Sequence, residues 1–220
     1  MRFSIIVFPG SNCDNDAFHV INNNLNISAD FIWHKEGSLS NCDAILLPGG
    51  FSYGDYLRTG AIAKFSPIMK EVVKKGNDGM PIIGICNGFQ ILIESGLLPG
   101  ALITNKKVKF LSQNVNLEVQ NNNTIFTSLF DKNQIISMPI AHGMGNYIAD
   151  ENLLMELENN KQIAFKYSDG NPNGSISSIA GIFNKKKNIL GMMPHPERAA
   201  ENILGSIDGL NIFKSIIESN

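Results

Sequence analysis

The sequence predicts an α/β fold: an open, mostly parallel, doubly wound sheet flanked by helices, with an antiparallel strand ribbon added to it. Three observations carry that expectation. Apolar runs without polar alternation, at residues 5–8, 44–47 and 82–85, suit strands buried on both faces. Helix-period segments separate them, which is the alternation that builds parallel βαβ units. Beyond Pro99 the pattern changes to short strands joined by turns, which suits an antiparallel ribbon and the later strands of the sheet.

Taken in order, residues 5–8 read as the first buried strand. Pro9-Gly10-Ser11-Asn12-Cys13 forms a loop, and a helix follows with Ala17, Val20, Ile21 and Leu25 on one face. Residues 29–33 and 44–47 read as further strands. The second runs into the glycine-rich loop Pro48-Gly49-Gly50-Phe51-Ser52-Tyr53-Gly54-Asp55, and residues 62–73 read as a helix. A strand, a sharp turn and a helix then occupy 82–92. Strands are expected at 115–119, 135–140, 163–167, 176–183 and 189–192, with tight turns at Asn121-Asn122-Asn123 and in 169–174. Lys185-Lys186-Lys187 reads as a solvated hairpin tip. A closing helix over 203–217, interrupted near Gly209, carries Ile203, Leu204, Ile207, Leu210, Ile212, Phe213, Ile216 and Ile217.

With 220 residues, 43% hydrophobic and 17% charged, the chain is expected to form one domain over 1–220 with a sizeable core. A net charge of −2 and the lack of a long basic run argue against nucleic acid or an anionic membrane as partner. The first apolar run meets Pro9-Gly10 too early for a signal peptide or a span, so a cytoplasmic protein is expected. Three cysteines, Cys13, Cys42 and Cys86, are odd in number and lack C-x-x-C spacing, which indicates neither a disulfide framework nor a metal site.

Chemistry concentrates at Pro81-Ile82-Ile83-Gly84-Ile85-Cys86-Asn87-Gly88-Phe89-Gln90. Gly84-x-Cys86-x-Gly88 is the cysteine form of a nucleophile elbow, in which small neighbours let the backbone bend sharply and lift the nucleophile off the sheet. The following helix directs its unpaired N–H groups and positive dipole end at the sulfur. A buried core thiol is the competing reading of Cys86. A second constellation favours chemistry: the apolar run 189–194 ends in His195-Pro196-Glu197-Arg198. Alternation in an extended segment would send His195 and Glu197 to one side, pairing a base with its orienting carboxylate. Ligands collect outside the carboxyl ends of parallel strands, so the Gly49-Gly50 loop, the Cys86 elbow and His195 are expected at one edge. Those parts suit acyl transfer.

The Gly49-Gly50 loop, Gly84-Ile85-Cys86-Asn87-Gly88-Phe89-Gln90 and Pro194-His195-Pro196-Glu197 together resemble the class I, triad-type glutamine amidotransferases. More narrowly, residues 8–14, 49–58, 171–175 and 191–198 resemble the glutaminase subunits of phosphoribosylformylglycinamidine synthases. The resemblance runs through essentially the whole chain, with four motifs in the family's order. One departure is His142-Gly143-Met144-Gly145, where the family usually reads His-Gly-Glu-Gly.

The resemblance implies that Cys86 attacks the side-chain amide of glutamine, that His195 shuttles the proton and that Glu197 orients the imidazole. It implies oxyanion donors at Gly49, Gly50 and Asn87, and glutamine contacts at Gln90, His142 and Gly143. Cys13 reads as shaping a turn or capping the next helix, Cys42 as packing, and His19 and His34 as carrying no chemistry. No G-x-x-x-x-G-K-[ST] phosphate loop occurs, so acceptor activation is left to a partner. By resemblance that partner is a synthetase subunit bearing ATP and magnesium, with a small accessory subunit, while this chain needs no cofactor. Tyr53, Asp55, Tyr56 and Arg58, and the 171–175 segment, are candidates for docking it. A DJ-1-like cysteine hydrolase or redox protein, a non-catalytic regulatory subunit, and a glutaminase serving another synthetase are the alternatives.

Overall fold

A computed structural model describes residues 1–39 and 41–219. The first half contains β1 (Arg2–Val7), α1 (Asp14–Phe18), β2 (Ser28–Trp33), β3 (Ala44–Leu47), α2 (Pro67–Asn77), β4 (Ile82–Ile85), α3 (Asn87–Glu94) and β5 (Ala101–Ile103). The second contains β6 (Leu111–Val119), β7 (Ile135–His142), β8 (Asn146–Ile148), α4 (Glu151–Asn159), β9 (Ile163–Tyr167), β10 (Ile179–Phe183), β11 (Ile189–Met192) and α5 (Leu210–Glu218).

Nine strands form one sheet in the order β2-β1-β3-β4-β11-β10-β9-β6-β7. The five from β2 to β11 are parallel, and the pairs from β11 through β7 are antiparallel. A separate two-stranded sheet pairs β5 with β8. This is the mostly parallel sheet with an antiparallel extension that the apolar runs imply. Every residue of β3, β4 and β11 is buried, as expected of strands covered on both faces. Each such Ile or Leu contributes roughly 1.5–3 kcal/mol of burial.

Several expected elements differ from those observed. The helix expected at 62–73 is a turn of 3₁₀ helix at Ala63–Phe65 followed by α2 from Pro67. Proline forces Ser66 into extended backbone (ψ 141°), which ends one helix and starts another. The closing helix begins only at Leu210. Asn202–Leu204 is a single turn closed by Gly205 at φ +96°, and Ile203 is exposed. Residues Ile176–Ser178 form a 3₁₀ turn ahead of β10. Three elements went unread: α4, whose Asp150 side chain accepts a hydrogen bond from the Leu153 N–H (2.8 Å), and the three-residue strands β5 and β8. Among the described residues no helix is long and apolar enough to cross a membrane.

The site is positioned by register. Leu47 lies beside Gly84, and Gly84 beside Gly191, so β3, β4 and β11 end level with one another. The segments leaving them emerge at one edge of the sheet.

Candidate active site

Cys86 occupies the bend between β4 and α3 at φ +50°, ψ −101°, backbone that a side-chain-bearing residue adopts only under constraint. The constraint is visible: its N–H donates to the Met192 carbonyl (2.7 Å) and its carbonyl accepts from Gln90 N–H (3.2 Å). Gly88 lets α3 sit against β3, since a Cβ there would overlap the Leu47 carbonyl oxygen. Cys86 is therefore held at the N-terminus of α3, buried, with Sγ 3.7 Å from the Ala141 carbonyl oxygen.

His195 follows β11, its N–H donating to the Pro139 carbonyl (2.8 Å). Its Nδ1 donates to Glu197 Oε1 at 2.6 Å, and both side chains are at most 2% exposed. The pairing does not arise from strand alternation. Pro196–Arg198 is a 3₁₀ turn, with Pro196 at its first position, which folds Glu197 back onto the ring. Burial works against a charged imidazole, but the Glu197 carboxylate and the thiols of Cys86 and Cys13 outweigh it and hold His195 well above the ordinary histidine range. His195 Nε2 has no hydrogen-bond partner among the described residues, which leaves it free to exchange a proton with Cys86.

The Gly49-Gly50 segment passes directly over this ring. A Cβ on Gly49 would come within 2.7 Å of His195 Cε1, so only glycine admits the imidazole. The Gly49 carbonyl accepts from the N–H groups of Asn12 and Cys13 (3.4 and 3.2 Å), and Phe51 N–H donates to the Gly10 carbonyl (2.9 Å). That clamp leaves the Gly50 N–H without an acceptor among the described residues. It and the first N–H groups of α3 at Asn87 form a fit place for negative charge.

A cavity of ≈ 110 Å³ opens on Cys86, lined by Gly50, Phe51, Asp55, Gln90, Phe110 and the 141–144 turn. Gln90 and His142 are both placed there, held by polar networks. Gln90 Nε2 donates to the Met144 carbonyl (2.6 Å), while its Oε1 accepts from Asn87 Nδ2 (2.9 Å). His142 Nδ1 meets Asn105 Oδ1 (3.1 Å), and burial, aided by the charge of His195, lowers its pKa to about 4, so the ring is neutral at pH 7. The Met144 sulfur accepts from the Thr59 hydroxyl (2.9 Å).

Sequence reasoning missed or misplaced several residues. Cys13 stands at the N-cap position of α1, its carbonyl accepting from the Ala17 N–H (3.1 Å), but its side chain makes no capping hydrogen bond. Instead Cys13 Sγ, a His195 ring nitrogen and a Glu197 oxygen lie within 4.8 Å of one another. Burial raises the Cys13 pKa, and Arg198, itself paired with Asp16 (3.0 Å), donates to its sulfur (3.2 Å). The 171–175 segment is anchored at two of its residues, while Asn171 stays exposed. Asn173 and Ser175 are buried, and Asn173 Nδ2 donates to the Gly145 carbonyl (2.7 Å) and Tyr167 hydroxyl (3.1 Å), supporting the 142–145 turn from behind. Tyr53 is likewise anchored, its hydroxyl bonded to His34 (2.8 Å) and Ser66 (3.0 Å). Cys42 is buried in the core cluster, as expected of a packing thiol.

An elbow cysteine beside a buried His-Glu pair, where the parallel strands end, is the arrangement of a cysteine-nucleophile acyl-transfer enzyme. The chain belongs to the family of CobB/CobQ-like glutamine amidotransferase domains, whose description matches residues 1–211. Within it, the chain is similar to a chain of PurLQS from Thermotoga maritima: 43% identity over 99% of this chain and 98% of that one, with a TM-score of 0.91. The fold is shared at lower identity with a Thermotoga maritima glutamine amidotransferase (16%, TM-score 0.59, covering 100% and 97%). It is shared also with the glutaminase domain of Trypanosoma brucei CTPS bound to acivicin (14%, TM-score 0.61, covering 99% and 94%).

Proposed function

We propose that this chain is the glutaminase subunit of a phosphoribosylformylglycinamidine synthase, acting in purine biosynthesis in the cytoplasm. The observation that carries the reading is the buried His195–Glu197 pair beside a strained Cys86 elbow, in a chain 43% identical to one in PurLQS.

Cys86 attacks the side-chain amide carbon of glutamine, and the carbonyl oxygen takes up negative charge opposite the Gly50 and Asn87 N–H groups. His195, oriented by Glu197, carries the proton from the thiol to the departing nitrogen, and ammonia leaves a γ-glutamyl thioester on Cys86. Water, deprotonated by His195, then releases glutamate and restores the thiol. Loss of one oxyanion donor typically costs ~10²–10³ in turnover, so the Gly50 loop ranks with a catalytic side chain.

Ammonia passes to a synthetase subunit that converts phosphoribosylformylglycinamide to the amidine with ATP and magnesium, and a small accessory subunit completes the complex. Exposed Tyr56 and Leu57, which follow the cavity-lining Asp55 in sequence, suit contact with that partner. The test is glutamate release by the purified chain, with and without synthetase, acceptor and ATP. Cys86→Ser is expected to abolish glutamine-dependent synthesis and spare ammonia-dependent synthesis. Retention of glutamine-dependent synthesis by that variant would overturn the mechanism.

A further inference from the structure

The loop after Gly50 places a carboxyl group in the cavity for which neither the triad nor the oxyanion donors have a use. Asp55 lines the same cavity as Cys86. Its Oδ1 is shielded from solvent yet has no hydrogen-bond partner among the described residues. Leaving such a group unpaired is unfavourable, and Asp55 is delivered there by costly backbone. Tyr53, Asp55 and Leu57 all have φ between +55° and +67°. Both ends of the loop are tied down: Ser52 N–H donates to Asn87 Oδ1 (3.1 Å), and Arg58 forms a bidentate pair with Glu94 on α3 (2.5 and 2.7 Å). Burial alone moves the Asp55 pKa up to about 6, the signature of a carboxylate lacking a positive partner.

We propose that Asp55 receives the α-ammonium group of glutamine. This deepens the glutaminase reading and rests on it. Of the groups on a glutamine whose amide carbon lies at Cys86, only the α-ammonium supplies the positive charge and N–H donors that an unpaired carboxylate takes. Arg58, the nearest cation in sequence, is spent on Glu94, His142 across the cavity is neutral, and the charge of His195 is matched by Glu197, so none of these three pairs with Asp55. The residue thereby selects an α-amino acid amide over a plain carboxamide.

The test compares L-glutamine with glutaramate, which keeps the amide and the carboxylate but lacks the α-amino group. Assays use the chain in its synthetase complex, under conditions where the wild type hydrolyses glutamine. In Asp55→Asn the ratio of kcat/KM for glutamine over glutaramate is expected to fall about 10- to 100-fold, mainly through KM for glutamine. Asp55→Glu, which keeps the charge, should retain most of the preference. Alkylation of Cys86 by iodoacetamide reports whether the elbow is intact in each variant. An unchanged ratio in Asp55→Asn, or equal losses on both substrates with Cys86 still alkylated, overturns the assignment. A wild-type complex that hydrolyses no glutamine refutes the glutaminase reading instead.

Discussion

At the scale of single residues, legibility follows locality. Cys86 announced itself because its glycines and helix start are neighbours in sequence, and His195 and Glu197 because they are two residues apart. Cys13, Asp55 and Asn105 gave no such signal, since what matters about each is a contact made across the fold. Asn105 bonds a histidine 37 residues away, and Cys13 meets a guanidinium 185 residues away. His142 yields a prediction of sign as well as size. Its folded pKa of about 4 lies below the unfolded value near ~6.5, so between them the unfolded chain binds the extra proton. The stabilisation from a neutral His142 is present above pH 6.5 and is lost as pH falls toward 4. Wild type should lose about 2 kcal/mol more than His142→Asn between pH 7 and pH 5, read from urea unfolding midpoints at the two pH values. Equal losses would show that His142 is not the group responsible.

At the scale of elements, punctuation decides. Pro67 split an apolar run that periodicity had joined, and Gly205 held the last helix back to Leu210. The short β5 and β8 have too few residues to display a period of two. The elbow was legible because glycine spacing states its steric requirement directly. Gly88→Ala tests that requirement. The new methyl group has backbone rather than a pliant side chain in its way, so α3 must retreat from β3. A destabilisation of about 3 kcal/mol or more is expected, with loss of Cys86 alkylation by a glutamine-like electrophile before global unfolding. A variant that melts like wild type would show that the close approach is not needed.

At the scale of the whole molecule, the parallel half of the sheet could be foreseen from the rule that ligands gather at carboxyl ends, because three separated motifs then had to share an edge. The strand order could not be read, since pairing of β11 with β4 depends on long-range packing. That pairing places the strand leading to His195 between β4 and β10, in the interior of the sheet. A chain ending at residue 188 would lack it and expose the buried backbone edge of β4. Such a fragment should be recovered as aggregate, measured by soluble yield and size-exclusion profile beside the full chain. A monodisperse, soluble fragment would contradict this account of the sheet.

The same placement has a consequence in time. On a ribosome adding ~5–20 residues per second, the interval between completing β4 and completing β11 is roughly 5–20 s. During it the nascent chain carries an apolar strand with one side unpaired. The site at Cys86 therefore comes into being in a single late step, when β11 closes the sheet and carries His195 to a cysteine made long before.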